Sequence, residues 1–402
     1  MRPFGHIISI ADARAALRDG VRPVTRTEHV PLADAGGRVA AADVRSTVAV
    51  PPFARSAMDG YAVVAADTAG ASKTAPVWLA LGERVYTGSL PTKAVQPGCC
   101  AEIATGAPLP DGADAVVMVE DTAGVVDGRV AACAAVTAGQ HVGRKGADIV
   151  PGDVVVTRGQ LLTPSRIGAA AAVGSTALDV FARPRVAILS TGNEVAAAGA
   201  ALAGAQIHDV NRYTLAAVVA AHGGIPEVHP PVPDDLEALD RALDACRDAD
   251  LILASGGSSV GERDLIIDLV RRRGTLVFHG IAVKPGKPTL FATLDGRPFF
   301  GMPGNPTSCL SNAYILLVPF LRATARLPVY APRTVELPLG RRIVSPAGRH
   351  QFYTVRIEDG VALPAFKGSG DITSLSNADG YLEIPETEST VEVGSRVVVT
   401  LF

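Results

Sequence analysis

The sequence predicts an α/β plus β fold class: a central α/β domain built on a parallel sheet, with β-rich sequence on either side. Three observations predict it. After Ala182-Arg183-Pro184, apolar strands and amphipathic helices alternate, the βαβα series of a parallel sheet covered on both faces. From Thr25 to about Gly159 short Val-rich runs are broken by Gly and Pro, and β-rich sequence returns at Leu327-Pro328. Of 402 residues, 48% are hydrophobic but only 5% aromatic, so the core must be built largely from Ala, Val, Leu and Ile.

Each element has a local reason. Ser9 followed three residues later by Asp12 resembles a capping box, Ile10, Ala13, Ala16 and Leu17 share one helical face, and Gly20 can stop the helix. Ala115 to Val119 and Asp153 to Thr157 read as strands of the β-rich region, and Arg166 to Gly174 as an Ala-rich helix. Beyond the boundary, Arg185 to Leu189 is an apolar strand. Asn211 is placed as the cap of a helix through Val219 that ends at Gly223-Gly224, and Val228 and Val232 suggest a short strand. Leu236, Leu239 and Leu243 mark a helix within Asp234 to Cys246, Leu251 to Ala254 a strand, and Asp264 to Arg273 a helix stopped by Gly274. Leu276 to Val283 and Pro298 to Gly301 add strands, and Thr307 to Ala325 a long final helix. In the last region Arg356-Ile357, Tyr381 to Ile384 and Arg396 to Leu401 read as strands.

Composition removes several function classes. Lys plus Arg at 37 against Asp plus Glu at 40 gives a net charge of −3, without the basic excess that nonspecific DNA binding uses. An anion it binds is therefore expected to be small and held locally. No apolar run approaches the roughly 20 residues of a membrane span, and no export signal is evident, so a soluble, cytoplasmic protein is expected. Five cysteines, an odd number without Cys-x-x-Cys spacing, argue against a disulfide scaffold and a zinc site. Gly (41) and Pro (29) follow neither a collagen period nor a low-complexity block, so they read as tight turns.

In an open parallel sheet, ligands bind beyond the carboxyl ends of the strands. The loops expected there read Ser190-Thr191-Gly192-Asn193-Glu194, Ser255-Gly256-Gly257-Ser258-Ser259-Val260-Gly261, Lys284-Pro285-Gly286-Lys287-Pro288 and Met302-Pro303-Gly304-Asn305-Pro306-Thr307-Ser308. Glycines let backbone N–H groups approach a phosphate, and a following helix N-terminus adds partial positive charge. Any one of these loops could be a plain turn; four on successive strand ends describe a pocket for a phosphorylated small ligand. None is a Walker A loop or a dinucleotide fingerprint. Lys284 and Lys287 flank a rigid Pro-Gly turn and could face anionic oxygens or solvent. Glu194 and Asp264 follow strand-end loops, where a carboxylate serves as a Mg²⁺ ligand, a general base or a helix-dipole partner. In the N-terminal half, Asp59 in Met58-Asp59-Gly60, the stretch Ala104 to Pro110 and the stretch Gly143 to Asp148 read equally as turns or as sites.

Six motifs in order carry a family resemblance: Ser-Ala-Met-Asp-Gly-Tyr-Ala at 56–62, Thr-Gly-Ala-Pro-Leu-Pro at 105–110, Ser-Thr-Gly-Asn-Glu at 190–194, Ser-Gly-Gly-Ser-Ser-Val-Gly-Glu-Arg-Asp at 255–264, Lys-Pro-Gly-Lys-Pro at 284–288 and Pro-Gly-Asn-Pro at 303–306. The sequence resembles the MoeA/gephyrin family of molybdopterin molybdenumtransferases. The shorter MogA/MoaB-type proteins share the middle fold but lack the first two motifs, so a molybdopterin adenylyltransferase ranks second, beside a gephyrin-like scaffold paralogue.

The resemblance implies an elongated homodimer of four-domain subunits, with a three-layer MogA/MoaB-like central domain. The expected division is 1–49 plus 145–180 for a linking and dimerisation domain, 50–144 for an inserted β-rich domain, 181–327 for the molybdopterin-binding α/β domain and 328–402 for a β-barrel-like domain. The implied reaction joins adenylylated molybdopterin and molybdate to give molybdenum cofactor and AMP, with Mg²⁺. Implied partners are these small molecules, a second copy, and in passing a MogA/MoaB-type adenylyltransferase and apo-molybdoenzymes; neither nucleic acid nor membrane is among them.

By motif, Asp59, Thr105, Asp148, Glu194, Asp234 and Asp264 match positions tied to activity, with Glu194 and Asp264 at the metal. Lys284, Lys287, Ser308 and Ser369 would cradle molybdate, while Gly256, Gly257, Ser258, Ser259 and Asn305 would bind phosphate and pterin. The chain departs from the family at three places. It has Gly280 where relatives carry a basic residue, and Thr354 where they carry Arg, so one anion contact is missing or is supplied by Arg349 or Arg356. Asp148 follows Gly146-Ala147, where relatives have Gly-Glu.

Overall fold

The computed structural model describes residues 7–256, 265–345 and 347–402. The chain divides into two compact units, one formed by residues 29–180 and the other by the N-terminal segment to residue 28 together with 181–402.

Helix α1 (Ile10–Gly20) begins as the capping box predicts: Ser9 Oγ accepts from the Asp12 N–H at 3.0 Å, and Ala13 and Leu17 turn inward. The 29–180 unit holds a six-stranded sheet of β1 (Gly60–Val63), β2 (Val77–Val85), β3 (Cys99–Ile103), β4 (Ala115–Met118), β5 (Thr122–Val126) and β6 (Arg129–Ala132). Its order is β4-β1-β3-β2-β6-β5, with only β2 and β3 parallel. Helix α2 (Pro164–Ala172) starts two residues before the predicted point, because Thr163 caps it and Pro164 fits the first turn, where no N–H is needed.

The larger unit is organised by a second six-stranded sheet. Its elements are β7 (Arg185–Ser190), α3 (Asn211–Ala221), β8 (Ile225–Val228), α4 (Leu236–Ala245), β9 (Leu251–Ser255), α5 (Leu265–Arg273), β10 (Gly274–His279), β11 (Val283–Lys284), which lies outside this sheet, β12 (Leu290–Leu294) and β13 (Arg297–Met302). The order is β8-β7-β9-β13-β12-β10. Alternation along each strand builds three layers. Val186, Ile188, Leu251, Leu253 and Phe300 face α1, α3 and the last helix; Ala187, Leu189, Ile252, Ala254 and Phe299 face α4 and α5. All ten of these strand residues are buried, which is why β7 and β9 read as unbroken apolar runs.

Three expectations are corrected here. The sheet is mixed, because β12 runs antiparallel to both β13 and β10. A two-residue Asp295-Gly296 turn, with both residues at positive φ, joins β12 to β13 as a hairpin. The strand expected over Leu276 to Val283 is two strands, since β10 stops at His279 and Val283–Lys284 joins another sheet. The final helix is continuous but uneven: α6 (Pro306–Asn312) passes through a π-helical turn at Ala313–Leu317 into α7 (Val318–Thr324). Pro319 has no N–H to give the carbonyl four residues back, which accounts for the widened turn.

The chain ends in β14 (Thr334–Pro338), β15 (His350–Glu358), β16 (Val361–Pro364), β17 (Gly380–Ile384) and β18 (Arg396–Leu401). These form a sheet of order β11-β15-β17-β18-β14, with β16 paired to β15. Its first strand, β11, carries Lys284, so the Lys-Pro-Gly-Lys turn is held by the C-terminal sheet while β12 returns to the central one. Among the described residues no helix is long and apolar enough to cross a membrane.

Candidate functional site

The carboxyl ends of the central strands lie side by side, with Ser190 opposite Ser255 and Ser255 opposite Met302. The loops that leave them meet at once. Gly256 has φ +97°, and a Cβ there would lie 2.2 Å from the Thr191 carbonyl oxygen; a Cβ on Gly304 would meet the Gly256 Cα at 3.6 Å. The β9 loop is bonded to the end of β13 by its main chain, Gly256 N donating to the Met302 carbonyl at 3.4 Å, and Gly304 lies close by with no side chain between the two glycines.

Asn211 organises this junction in a way its sequence position did not suggest. It is not the helix cap: Val210 takes that place, and the Asn211 side chain turns into the buried junction. Its Nδ2 donates to Ser255 Oγ at 2.7 Å and to the Gly304 carbonyl at 2.7 Å. The neighbouring Asp209 is also buried, accepting from the Arg212 N–H at 3.1 Å and standing 3.7 Å from the Arg212 guanidinium.

Around this floor opens a cleft of about 1130 Å³. Glu194, Asp209, Gly256 and, at the start of α6, Asn305 and Ser308 line it, as do Lys284, Lys287, Arg349, Lys367 and Ser369, with Lys284 and Arg349 brought near each other by the β11–β15 pairing. The Lys284–Lys287 turn is pinned to the helix, where Asn312 Nδ2 donates to the Gly286 carbonyl at 2.9 Å. Gly286 has φ +104°, and a Cβ there would lie 2.2 Å from that same nitrogen, so the turn needs glycine. The segment 366–372 is tied to α6 as well: Thr307 N donates to the Ser369 carbonyl at 3.2 Å, Thr307 Oγ1 to the Asp371 carbonyl at 2.7 Å, and Asn305 Nδ2 to Ser369 Oγ at 3.3 Å.

Three family profiles match in order: the MoeA N-terminal region (domain I and II) over residues 8–174, the probable molybdopterin binding domain over 187–323, and the MoeA C-terminal region (domain IV) over 336–402. Molybdopterin molybdenumtransferase 2 of Mycobacterium tuberculosis is 36% identical over 399 residues, covering 96% of each chain. The chain belongs to the MoeA family. A molybdopterin molybdenumtransferase of Haemophilus influenzae is 28% identical over 98% of this chain and 99% of its own. Two crystal structures of molybdopterin biosynthesis MoeA proteins from Pyrococcus horikoshii superpose with TM-scores of 0.85 and 0.83, at 37% and 30% identity. They cover 98% and 99% of this chain and 99% and 100% of their own.

For a MoeA-family chain, the departures at Gly280 and Thr354 now have a spatial reading. Thr354 is fully buried, its hydroxyl without a hydrogen-bond partner, and Gly280 has φ +98°. Of the two arginines proposed to compensate, Arg349 lines the cleft, whereas Arg356 is exposed and pairs with Glu358 at 2.6 Å. Lys367 is a cleft cation that sequence reasoning missed, since no glycine loop or strand end marks it.

The acidic side pairs Glu194 with Asp234. Asp234 N donates to Asn193 Oδ1 at 3.1 Å, and partial burial together with the Glu194 charge holds the Asp234 carboxyl above the usual carboxylate range. Two carboxylates in mutual repulsion, one of them lining the cleft, are a donor set that fits Mg²⁺, which takes one or two protein carboxylates and completes its shell with other oxygens and water. Among the described residues no group of three or more His, Cys, Asp or Glu could hold a metal by itself. Gly257, Ser258, Ser259 and Asp264 lie outside the described residues.

Asp59, Thr105 and Asp148 belong to the 29–180 unit. Pairing of Gly60 with Ile103 brings the Asp59 turn beside the loop after β3, where Asp59 Oδ1 accepts from Thr105 N at 2.7 Å and Thr105 Oγ1 at 3.0 Å. These two hydrogen bonds, the backbone one foremost, hold the Asp59 carboxyl below its ordinary range. Asp148 is exposed, its N–H bonded to the Val50 carbonyl at 3.0 Å.

Proposed function

We propose that the protein is a molybdopterin molybdenumtransferase that joins molybdate to adenylylated molybdopterin and releases AMP. The observation that carries this reading is the cleft itself: Lys284, Lys287, Arg349 and Lys367 line it together with Gly256 and Gly304, where two strand-end loops come close with no side chain between them. Such a site suits a ligand with phosphates and a separate small oxyanion. Lysine ammonium groups act as compact point charges for a tetrahedral oxyanion, and Arg349 adds a fork of donors. Ser308 and Ser369 supply hydroxyl donors in the same cleft.

In the reaction water cleaves the phosphoanhydride bond and AMP leaves, and the two dithiolene sulfurs bond the metal of molybdate as oxo ligands depart as water with the thiol protons. Glu194 and Asp234, with Asp264, would hold Mg²⁺, which when bound would neutralise phosphoanhydride oxygens. The side chains of the chain do the positioning: Asn211 keeps the β9 and β13 loops together, and Asn312 holds the Lys-Pro-Gly-Lys turn. A homodimer, the four-domain division, a cytoplasmic location and transient contact with a MogA/MoaB-type adenylyltransferase and apo-molybdoenzymes belong to the same proposal.

The test is incubation of purified protein with adenylylated molybdopterin, molybdate and Mg²⁺, following AMP and molybdenum cofactor. The expected result is formation of both. Pyrophosphate release from ATP in the presence of molybdopterin would favour the adenylyltransferase, and no turnover in either assay would favour a scaffold.

A further inference from the structure

We infer that His350, through Glu383 and Arg14, is a positioning residue for the basic wall of the cleft. The inference rests on the reading of that wall as an anion site. His350 follows Arg349 directly and is the first residue of β15. Its N–H donates to the Ala282 carbonyl at 2.9 Å, and it lies opposite Val283 in the parallel β11–β15 pairing, one residue from Lys284. One short pairing therefore fixes two cleft cations, Lys284 and Arg349, that are 65 positions apart in sequence.

A two-residue strand has few ladder hydrogen bonds of its own, so neighbouring groups add to what holds it there. His350 Nε2 lies 2.7 Å from Glu383 Oε2 on the adjacent strand β17, and Arg14 of α1 donates to the same oxygen at 3.0 Å. Burial alone would raise the Glu383 carboxyl, but the His350 hydrogen bond and the Arg14 charge outweigh it and hold it below its ordinary range. An ionised carboxylate only accepts, so His350 Nε2 is the donor. The His350 side chain is 14% exposed and that of Glu383 31%, a protected pair in which the hydrogen bond is less screened than at the surface. The N-terminal segment adds a second tie on the other side, since Ala282 N donates to the Ile8 carbonyl at 2.8 Å. The arrangement links α1, β15 and β17 through one carboxylate and reaches β11 through the main chain at His350, and neither Arg14 nor Glu383 lines the cleft.

The experiment compares wild type with His350→Leu, His350→Gln and Arg14→Met. Molybdate binding is read by calorimetry, the KM and kcat for molybdate in AMP release, and hydrogen exchange over 280–287 and 348–352. His350→Leu removes the donor; His350→Gln restores one. The expected result is a rise of about three- to ten-fold in molybdate Kd and KM for His350→Leu, with kcat within about two-fold and faster exchange in both segments. His350→Gln should recover most of the loss, and Arg14→Met, at a half-exposed position, should shift Kd in the same direction by about two-fold. Unchanged binding and exchange in His350→Leu, or a His350→Gln protein as impaired as His350→Leu, would overturn the assignment. If His350→Leu does not fold, Arg14→Met decides by the same readouts. A wild-type protein that binds no oxyanion contradicts the anion-site reading instead, and the exchange data then judge the positioning role alone.

Discussion

Asn211 Nδ2 and Ser255 Oγ lie 2.7 Å apart, and the same nitrogen reaches the Gly304 carbonyl, so one buried amide joins helix α3 to the ends of strands β9 and β13. Removing it leaves a buried carbonyl and hydroxyl short of a partner. Asn211→Ala is expected to lose about 2 kcal/mol in urea denaturation. It should also weaken binding of phosphorylated ligand, because the two loops are no longer held in contact.

The glycines at that contact should separate folding from function. At Gly256 a Cβ would collide with the Thr191 carbonyl and the backbone has positive φ, so Gly256→Ala should cost at least about 2 kcal/mol. At Gly304 the nearest atom is 3.6 Å from the added Cβ, an ordinary contact. Gly304→Ala should keep its melting temperature within a degree or two while losing activity, since the methyl group stands where a phosphate would approach the main chain. Equal loss of stability in the two variants would count against this.

Asp234 gives a prediction of opposite signs for stability and function. Its folded carboxyl titrates above the ordinary range through burial and the Glu194 charge, so ionising it costs stability as pH rises through that raised value. Asp234→Asn should therefore raise the melting temperature at pH 7 without added metal and leave it unchanged near pH 3, where the wild-type carboxyl is already protonated. The same variant should lose the gain in melting temperature that Mg²⁺ gives the wild type. Lower stability of Asp234→Asn at pH 7 would contradict the repulsion.

Glu383 titrates in the opposite sense. Its carboxyl is held below the ordinary range by His350 and Arg14, so its contribution is present above the unfolded value, about 4.3, and is lost as pH falls through the folded one. Glu383→Gln should melt lower than wild type at pH 7, with the gap closing toward pH 3.

Much of this site was legible because glycine loops on successive strand ends are a local signal with a known spatial consequence. Glu194, Gly256, Lys284, Lys287, Asn305 and Ser308 all line the one cleft. The Ser9 cap was equally legible, a hydrogen bond between neighbours in sequence. Asn211 was not, because Asn at a helix start reads as a cap whether its amide bonds the helix or, as here, a strand and a loop 44 and 93 residues away. Strand β12 was missed although Asp295-Gly296 marks a hairpin, since the loop motifs around it drew the reading toward a parallel sheet. Lys367 reaches the cleft only through the way 366–372 bonds to α6, a contact without a local signature.

The most direct measurement of the central claim is the rate of AMP release from adenylylated molybdopterin against molybdate concentration, for wild type and Lys284→Ala. A cleft that holds the phosphoanhydride and the oxyanion together predicts AMP release that rises and saturates with molybdate, and a Lys284→Ala curve displaced to at least about ten-fold higher molybdate. AMP release independent of molybdate, or the same curve in both proteins, would contradict it.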